Sequence, residues 1–332
     1  MNRREFASLA LAGVGAGIVS TRVLGRGETT ESSIGRSVDS VLPRQNAMAG
    51  AGFSTDVGEG LLSVLSDGHL QLPASFLQPE GIDEATLKDL MVRYQLNGDS
   101  YAPACNISVW QQGDRTVLFD VGAGSQFMSS AGQLPGALDA AGIDPESVTD
   151  VILTHAHPDH LWGLLDDFDD LLYTNASIHI HRDELDYWLA DDTLSRTPES
   201  RQTFVVGAQS RLARAQEQLS VFGSGDEVLP GIEALDTRGH TPGHTSLAIH
   251  DGGESVLIVG DALNNVALSF EYPGLLSPAD QDPELAAETR MALLDRLAAE
   301  QMRLIGFHLP TPGFGRVERG AGRAYRFVAD GA

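Results

Sequence analysis

Cysteine is almost absent: Cys105 stands alone in 332 residues. One thiol can form neither an intrachain disulfide nor a thiolate metal cluster. Lying just before the apolar Ile107-Ser108-Val109-Trp110, it reads as a core residue, because nothing near it in sequence supplies a base that would make it a nucleophile. Positive charge is scarce as well, with 22 Lys and Arg against 46 Asp and Glu, a net charge of −24, and no basic run. Such a chain repels polyanions, so nucleic acid is not an expected partner. A membrane-spanning helix needs roughly 20 apolar residues, and the apolar stretch that ends at Val19 supplies about half of that. No stable span is therefore expected in the mature chain. What the chain does have is 42% hydrophobic residues, ample for a core, at a length that suits one large domain.

The densest feature is Thr154-His155-Ala156-His157-Pro158-Asp159-His160, which follows the apolar run Val151-Ile152-Leu153. Alternate side chains of an extended segment share a face, so His155 and His157 can point at one ion. The turn at Pro158 lets Asp159 and His160 face another way, towards a second. Imidazole and carboxylate together suit zinc and similar divalent ions. A lone His-x-His is usually a polar strand end satisfied by hydrogen bonds, but three downstream segments weigh against that here. They are Gly239-His240-Thr241-Pro242-Gly243-His244, Val256-Leu257-Ile258-Val259-Gly260-Asp261 and Gly306-Phe307-His308. Most of these groups sit where an apolar strand gives way to a loop, a place where rigid scaffolding concentrates function.

These segments resemble the signature of the metallo-β-lactamase fold superfamily, His-x-His-x-Asp-His followed by a separated His, Asp and His. The resemblance covers roughly residues 58 to 328. It implies an α/β fold, a four-layer αββα sandwich with the metal site at one edge between two sheets. It also implies two divalent ions, zinc foremost: His155, His157 and His244 on the first, Asp159, His160 and His308 on the second, and Asp261 bridging. Asp261 and Asp159 would be the catalytic carboxylates, one pairing the metals and the other orienting a hydroxide. Asp120, in Asp120-Val121-Gly122-Ala123-Gly124, would accept a hydrogen bond from a ligand imidazole, with turn capping as its alternative role.

Within the superfamily, Asp186-Tyr187-Trp188-Leu189 and the tail from Gly322 to Val328 resemble methyl parathion hydrolase and related dinuclear lactonases and arylesterases. That resemblance implies hydrolysis of small neutral lactones or esters, with phosphotriesters as a side activity. It also implies a pocket lined by Phe127, Trp188 and Phe204, which Tyr272 could reach from another loop. A thioesterase of the glyoxalase II type, an iron oxygenase and a non-catalytic metal-binding protein on the same fold are the alternatives, and a homodimer is open.

Other histidines read differently. His179 and His181 alternate with Ile178 and Ile180 and have no acidic ligand after them, His240 reads as shaping the turn before His244, and His69 and His250 read as exposed hairpin residues. At the N-terminus, Asn2-Arg3-Arg4-Glu5-Phe6 before Leu9–Val14 resembles a twin-arginine export signal over residues 1–26, implying a periplasmic or secreted protein. Residues 27–57 read as a Gly/Ser/Thr-rich linker, and 58–332 as the hydrolase domain. Inside it, a hairpin is expected at Leu61–Ser66 and His69–Leu72 around Asp67-Gly68. Helices are expected at Ala85–Leu96, Leu134–Ala141, Leu161–Phe168, Glu184–Leu219 and Glu284–Met302.

Overall fold

Strand β1 (Phe53–Val57) begins before the expected domain boundary, because its backbone pairs antiparallel with β2 (Gly60–His69), with side chains alternating in exposure, rather than continuing a linker. A computed structural model describes residues 52–79, 81–96, 100–320 and 324–330, which belong to one compact unit. Residues 1–51, with the export signal and most of the linker, lie outside the described residues.

The expected first hairpin is instead the single ten-residue strand β2. Asp67-Gly68 is a bulge where the register against the neighbouring strand shifts between Ser66 and His69, with Gly68 at φ 97°. The buried Asp67 carboxylate accepts backbone N–H groups of Ala123, Gly132 and Leu134, and burial pushes its pKa up to about 6. A turn-like dipeptide thus anchors two distant loops.

Short β3 (Leu72–Pro73), helix α1 (Glu84–Arg93) and β4 (Ser100–Tyr101) lead into β5 (Ala104–Gln112) and β6 (Arg115–Phe119). Helix α2 (Leu134–Ala140), β7 (Asp150–Ile152), α3 (Pro158–Leu161), β8 (Ser177–His181), α4 (Arg182–Leu189), α5 (Thr193–Arg196), α6 (Gln202–Arg214) and β9 (Leu219–Phe222) complete the first half. The first sheet runs β1-β2-β5-β6-β7-β8-β9, antiparallel to β6 and parallel beyond it. The second runs in chain order: β10 (Glu227–Leu229), β11 (Ile232–Asp236), β12 (Thr245–Asp251), β13 (Glu254–Ile258), β14 (Arg303–Ile305), β15 (Phe314–Arg319) and β16 (Tyr325–Ala329). Helices α7 (Leu268–Glu271) and α8 (Pro283–Glu300) interrupt it.

Apolar side chains from both sheets, among them Leu62, Trp110, Phe119 and Ile152 against Ile232, Leu247, Ile258 and Phe314, fill the layer between them. Helices α2, α4 and α6 cover the first sheet and α8 the second, through Leu293, Leu294 and Leu297. This is the four-layer αββα arrangement, with both sheets buried on two faces.

Two helical expectations change in detail. The helix after the histidine motif starts at Pro158, whose fixed φ suits a first helical position, and passes into a 3-10 turn at Trp162–Leu164 instead of running to Phe168. The stretch 184–219 breaks into α4, α5 and α6 around Ala190 and Pro198, ending in β9. Among the described residues, no helix is long and apolar enough to cross a membrane.

Candidate metal centre

The carboxyl ends of β6, β7, β13 and β14 all open on one edge of the sandwich, the place where open α/β sheets present ligands. After β7, Leu153 donates its N–H to His179 O and Thr154 to Asp120 Oδ1, which stops the strand and turns the chain so that Pro158 can start α3. After β13, Gly260 at φ 53° leads directly to Asp261. After β14, the loop Gly306–Leu309 delivers His308.

Most of the imidazoles have one nitrogen spent outward and one aimed inward. His155 Nδ1 lies 3.0 Å from Thr154 Oγ1, which itself donates to Asp120 Oδ2 at 2.8 Å. His160 Nδ1 is 2.8 Å from Asp120 Oδ2, and His308 Nδ1 is 2.8 Å from the Ala104 carbonyl oxygen. His240 Nδ1 is 2.9 Å from Asp280 Oδ1, whose Oδ2 accepts from Arg290 Nη2 at 2.7 Å. These outward acceptors fix each ring's tautomer and turn a lone pair inward.

Two groups of inward donors result. His155 Nε2 and His240 Nε2 each lie 3.0 Å from His157 Nδ1. In the second group His308 Nε2 is 3.1 Å and His160 Nε2 3.5 Å from Asp159 Oδ2. Asp261 lies between the groups, with Oδ1 3.3 Å from His160 Nε2 and Oδ2 3.3 Å from His240 Nε2.

The expected third histidine is therefore corrected. His240, read from sequence as a turn residue, takes the place beside His155 and His157. His244 cannot hold a metal in this arrangement, because Nδ1 faces Thr237 O at 3.1 Å and Nε2 accepts the Asp261 N–H at 2.9 Å. Both its nitrogens are used, and burial pushes its pKa down to about 3, which keeps the ring neutral for that pair of bonds.

The donor set fits divalent cations. His160 Nε2, Asp159 Oδ2 and Asp261 Oδ1 are buried without a hydrogen-bond partner, and buried polar atoms are rarely left so. Burial, then the neighbouring histidines, hold His155 and His157 well below the ordinary imidazole pKa, so both offer lone pairs. Burial resists charge on His160 and His308 too, yet Asp159 and Asp261 outweigh it and raise both. The pocket thus attracts positive charge.

One residue that sequence reasoning missed holds the loops together. The fully buried Glu184 accepts from Ala156 N at 2.9 Å, Trp188 Nε1 at 2.7 Å, Thr241 Oγ1 at 2.7 Å and Gly243 N at 2.9 Å. Gly243 comes so close to α4 that a Cβ there would lie 2.2 Å from Glu184 N. His179 bonds Asp150, and His181 bonds Ser224 and caps α4; neither joins the cluster. His69 and His250 are exposed.

Above the cluster opens a cavity of about 630 Å³ whose floor includes His157, Asp159, His240, Asp261 and His308. Phe76, Tyr101, Phe127, Phe204, Leu268 and Tyr272 are among its walls. Trp188 is not: it is 2% exposed, bonded to Glu184 and set edge-on behind His157, in the core. Trp188→Ala should cost about 3–5 kcal/mol of stability and affect aromatic and aliphatic substrates alike. Thermal melts and steady-state kinetics on both classes check this.

Ligands of this kind at the edge of an αββα sandwich place the chain among metal-dependent hydrolases. Residues 101–308 match the metallo-β-lactamase superfamily, and the chain belongs to it. It is 30% identical over 191 residues to metallo-β-lactamase domain-containing protein 1 of Xenopus laevis, a match covering 55% of this chain but only 63% of the relative's length. Among solved structures, it is similar to the hydrolase AbOPH of the β-lactamase superfamily, with 26% identity and TM-score 0.79 over 85% of this chain and 98% of that one. The same values relate it to AidC, a dizinc quorum-quenching lactonase in complex with a product, N-hexanoyl-L-homoserine.

Proposed function

We propose that the chain is a dinuclear metal hydrolase of neutral lactones or esters, with slower phosphotriester hydrolysis. The carrying observation is the Asp261 carboxylate, whose two oxygens face His240 on one side and His160 on the other. His155, His157 and His240 would hold one ion, Asp159, His160 and His308 the other, and Asp261 both. Zinc fits these nitrogen and oxygen donors. Divalent ions bound there would lower the pKa of a water and polarise a substrate oxygen. Asp120 and Asp280 fix the rings of His160 and His240, and the aromatic walls exclude bulk water.

The cavity supports this substrate class. Outside the cluster its only charged lining residues are Arg201 and Arg290 among the described residues. Arg201 donates to the Pro278 carbonyl, and Arg290 to Pro273, Leu275 and Asp280. Asp280 meets the charge of Arg290, which leaves Arg201 as a single cation for the anionic thioester of a glyoxalase II reaction, whereas a neutral acyl or aryl group suits the mostly apolar walls. The likeness to a lactonase holding N-hexanoyl-L-homoserine supports a lactone among the substrates.

Zinc-loaded protein of measured stoichiometry, assayed on neutral lactones, aryl esters, phosphotriesters, phosphodiesters and β-lactams, tests this reading. Preference for either of the last two would overturn the substrate class, and fewer than two ions per chain the dinuclear centre. Phe204→Ala should raise KM for aryl and long acyl substrates by roughly tenfold, the value of about 1.4 kcal/mol of lost apolar contact, with metal content unchanged. An unchanged KM would remove Phe204 from the substrate pocket.

We also propose export of the folded chain by the twin-arginine route, on the strength of Arg3 and Arg4 before the apolar stretch. Changing both to lysine should retain the protein in the cytoplasm, as fractionation would show. Undiminished export would end that reading.

A further inference from the structure

Cys105 is fully buried on β5, its neighbours are tied to the loop that carries His308, and the proposed mechanism makes no use of it. Ala104 on one side accepts the His308 Nδ1 bond at 2.8 Å. Asn106 on the other donates its backbone N–H to Phe307 O at 2.9 Å and its side-chain amide to Gly306 O at 3.0 Å and Leu309 O at 2.7 Å. The thiol is thereby held against the metal-facing loop by bonds on both sides of it. Its sulfur, a carboxylate oxygen of Asp159 and a ring nitrogen of His308 lie within 4.8 Å of one another. Within that group Asp159 Oδ2 is buried and makes no hydrogen bond, so an acceptor beside the sulfur is unsatisfied by the protein.

We propose that Cys105 is an additional ligand of the position built by Asp159, His160 and His308, giving that half of the centre oxygen, nitrogen and sulfur donors. The inference rests on the two-metal reading above. Ligation releases the thiol proton to solvent and leaves the thiolate on the ion, as metal coordination of a thiol requires. Among the described residues the position with His155, His157 and His240 does not include Cys105, so the two halves differ in softness. A thiolate biases its half towards zinc, cobalt and cadmium and away from magnesium or manganese.

The test uses the full chain loaded with cobalt(II). Two ions per chain and a thiolate-to-cobalt charge-transfer band in the near ultraviolet are expected. Because Cys105 is the only cysteine, the band can have no other source in the chain. Cys105→Ser should lose the band while keeping its weaker visible cobalt bands and two ions. Affinity for cadmium relative to zinc at that position should fall roughly tenfold or more, the range seen when a supporting group of a metal site is removed. Two bound cobalt ions without the band in the unmodified chain would overturn the proposal and leave the two-metal reading standing. Failure to bind a second ion at all would overturn both. Should Cys105→Ser not fold, X-ray absorption of the unmodified cobalt protein decides the matter, a coordination shell without sulfur being the refuting result.

Discussion

His240→Ala is expected to bind no more than one zinc ion per chain and to lose at least about a thousandfold in kcat/KM, equivalent to roughly 4 kcal/mol of transition-state stabilisation. His240 Nε2 points at His157 Nδ1 from 3.0 Å and at the Asp261 carboxylate from 3.3 Å, so its removal opens one group of donors and uncovers one side of the bridge. His244→Gln is the partner experiment. That ring accepts the Asp261 N–H and faces Thr237. Its loss should cost about 1–3 kcal/mol of stability, as for a buried group left unpaired, while two zinc ions remain. Metal analysis of both variants showing the opposite pattern would return the ligand role to His244.

The second large effect is expected at Glu184. Glu184→Ala leaves four buried donors, Ala156 N, Gly243 N, Thr241 Oγ1 and Trp188 Nε1, without their acceptor. A buried donor left unpaired costs about 1–3 kcal/mol, so the four together cost several kcal/mol even after partial relaxation, which for a domain of this size lowers Tm by roughly 10 °C. Ala156 lies between His155 and His157, and Thr241 follows His240, so zinc affinity should also fall by about 10- to 100-fold, as when the partners of metal ligands are removed. Calorimetry and chelator competition read the two effects separately. A loss of stability with unaltered zinc affinity would limit Glu184 to packing.

Much of the fold was legible because its strands are short apolar runs that stop at loops rich in Gly, Asp and His. Val151–Leu153 and Val256–Val259 show this most clearly, and each ends one or two residues before a metal-site residue. The Asp67-Gly68 turn was misread because a bulge and a hairpin turn share the same need for a left-handed glycine. Which histidine of Gly239–His244 faces the cluster of inward donors was not legible either. Both lie in one turn, and the choice depends on Thr237 and on the Asp261 backbone, which take up both nitrogens of His244. Trp188 and Glu184 share a helix face at a spacing of four, which marks them as neighbours but not as buried. Asp280 lies 40 residues from His240, and no local pattern ties them.

The order in which the donors leave the ribosome has a consequence for biosynthesis. His155, His157, Asp159 and His160 are made together in mid-chain, whereas His308 arrives with β14–β16, the last strands to join the second sheet. A nascent or truncated chain lacking those strands can gather the early histidines but cannot close the group around Asp159. On the two-metal reading proposed above, fragments ending before His308 would therefore leave the position around Asp159 open and an ion there exchangeable.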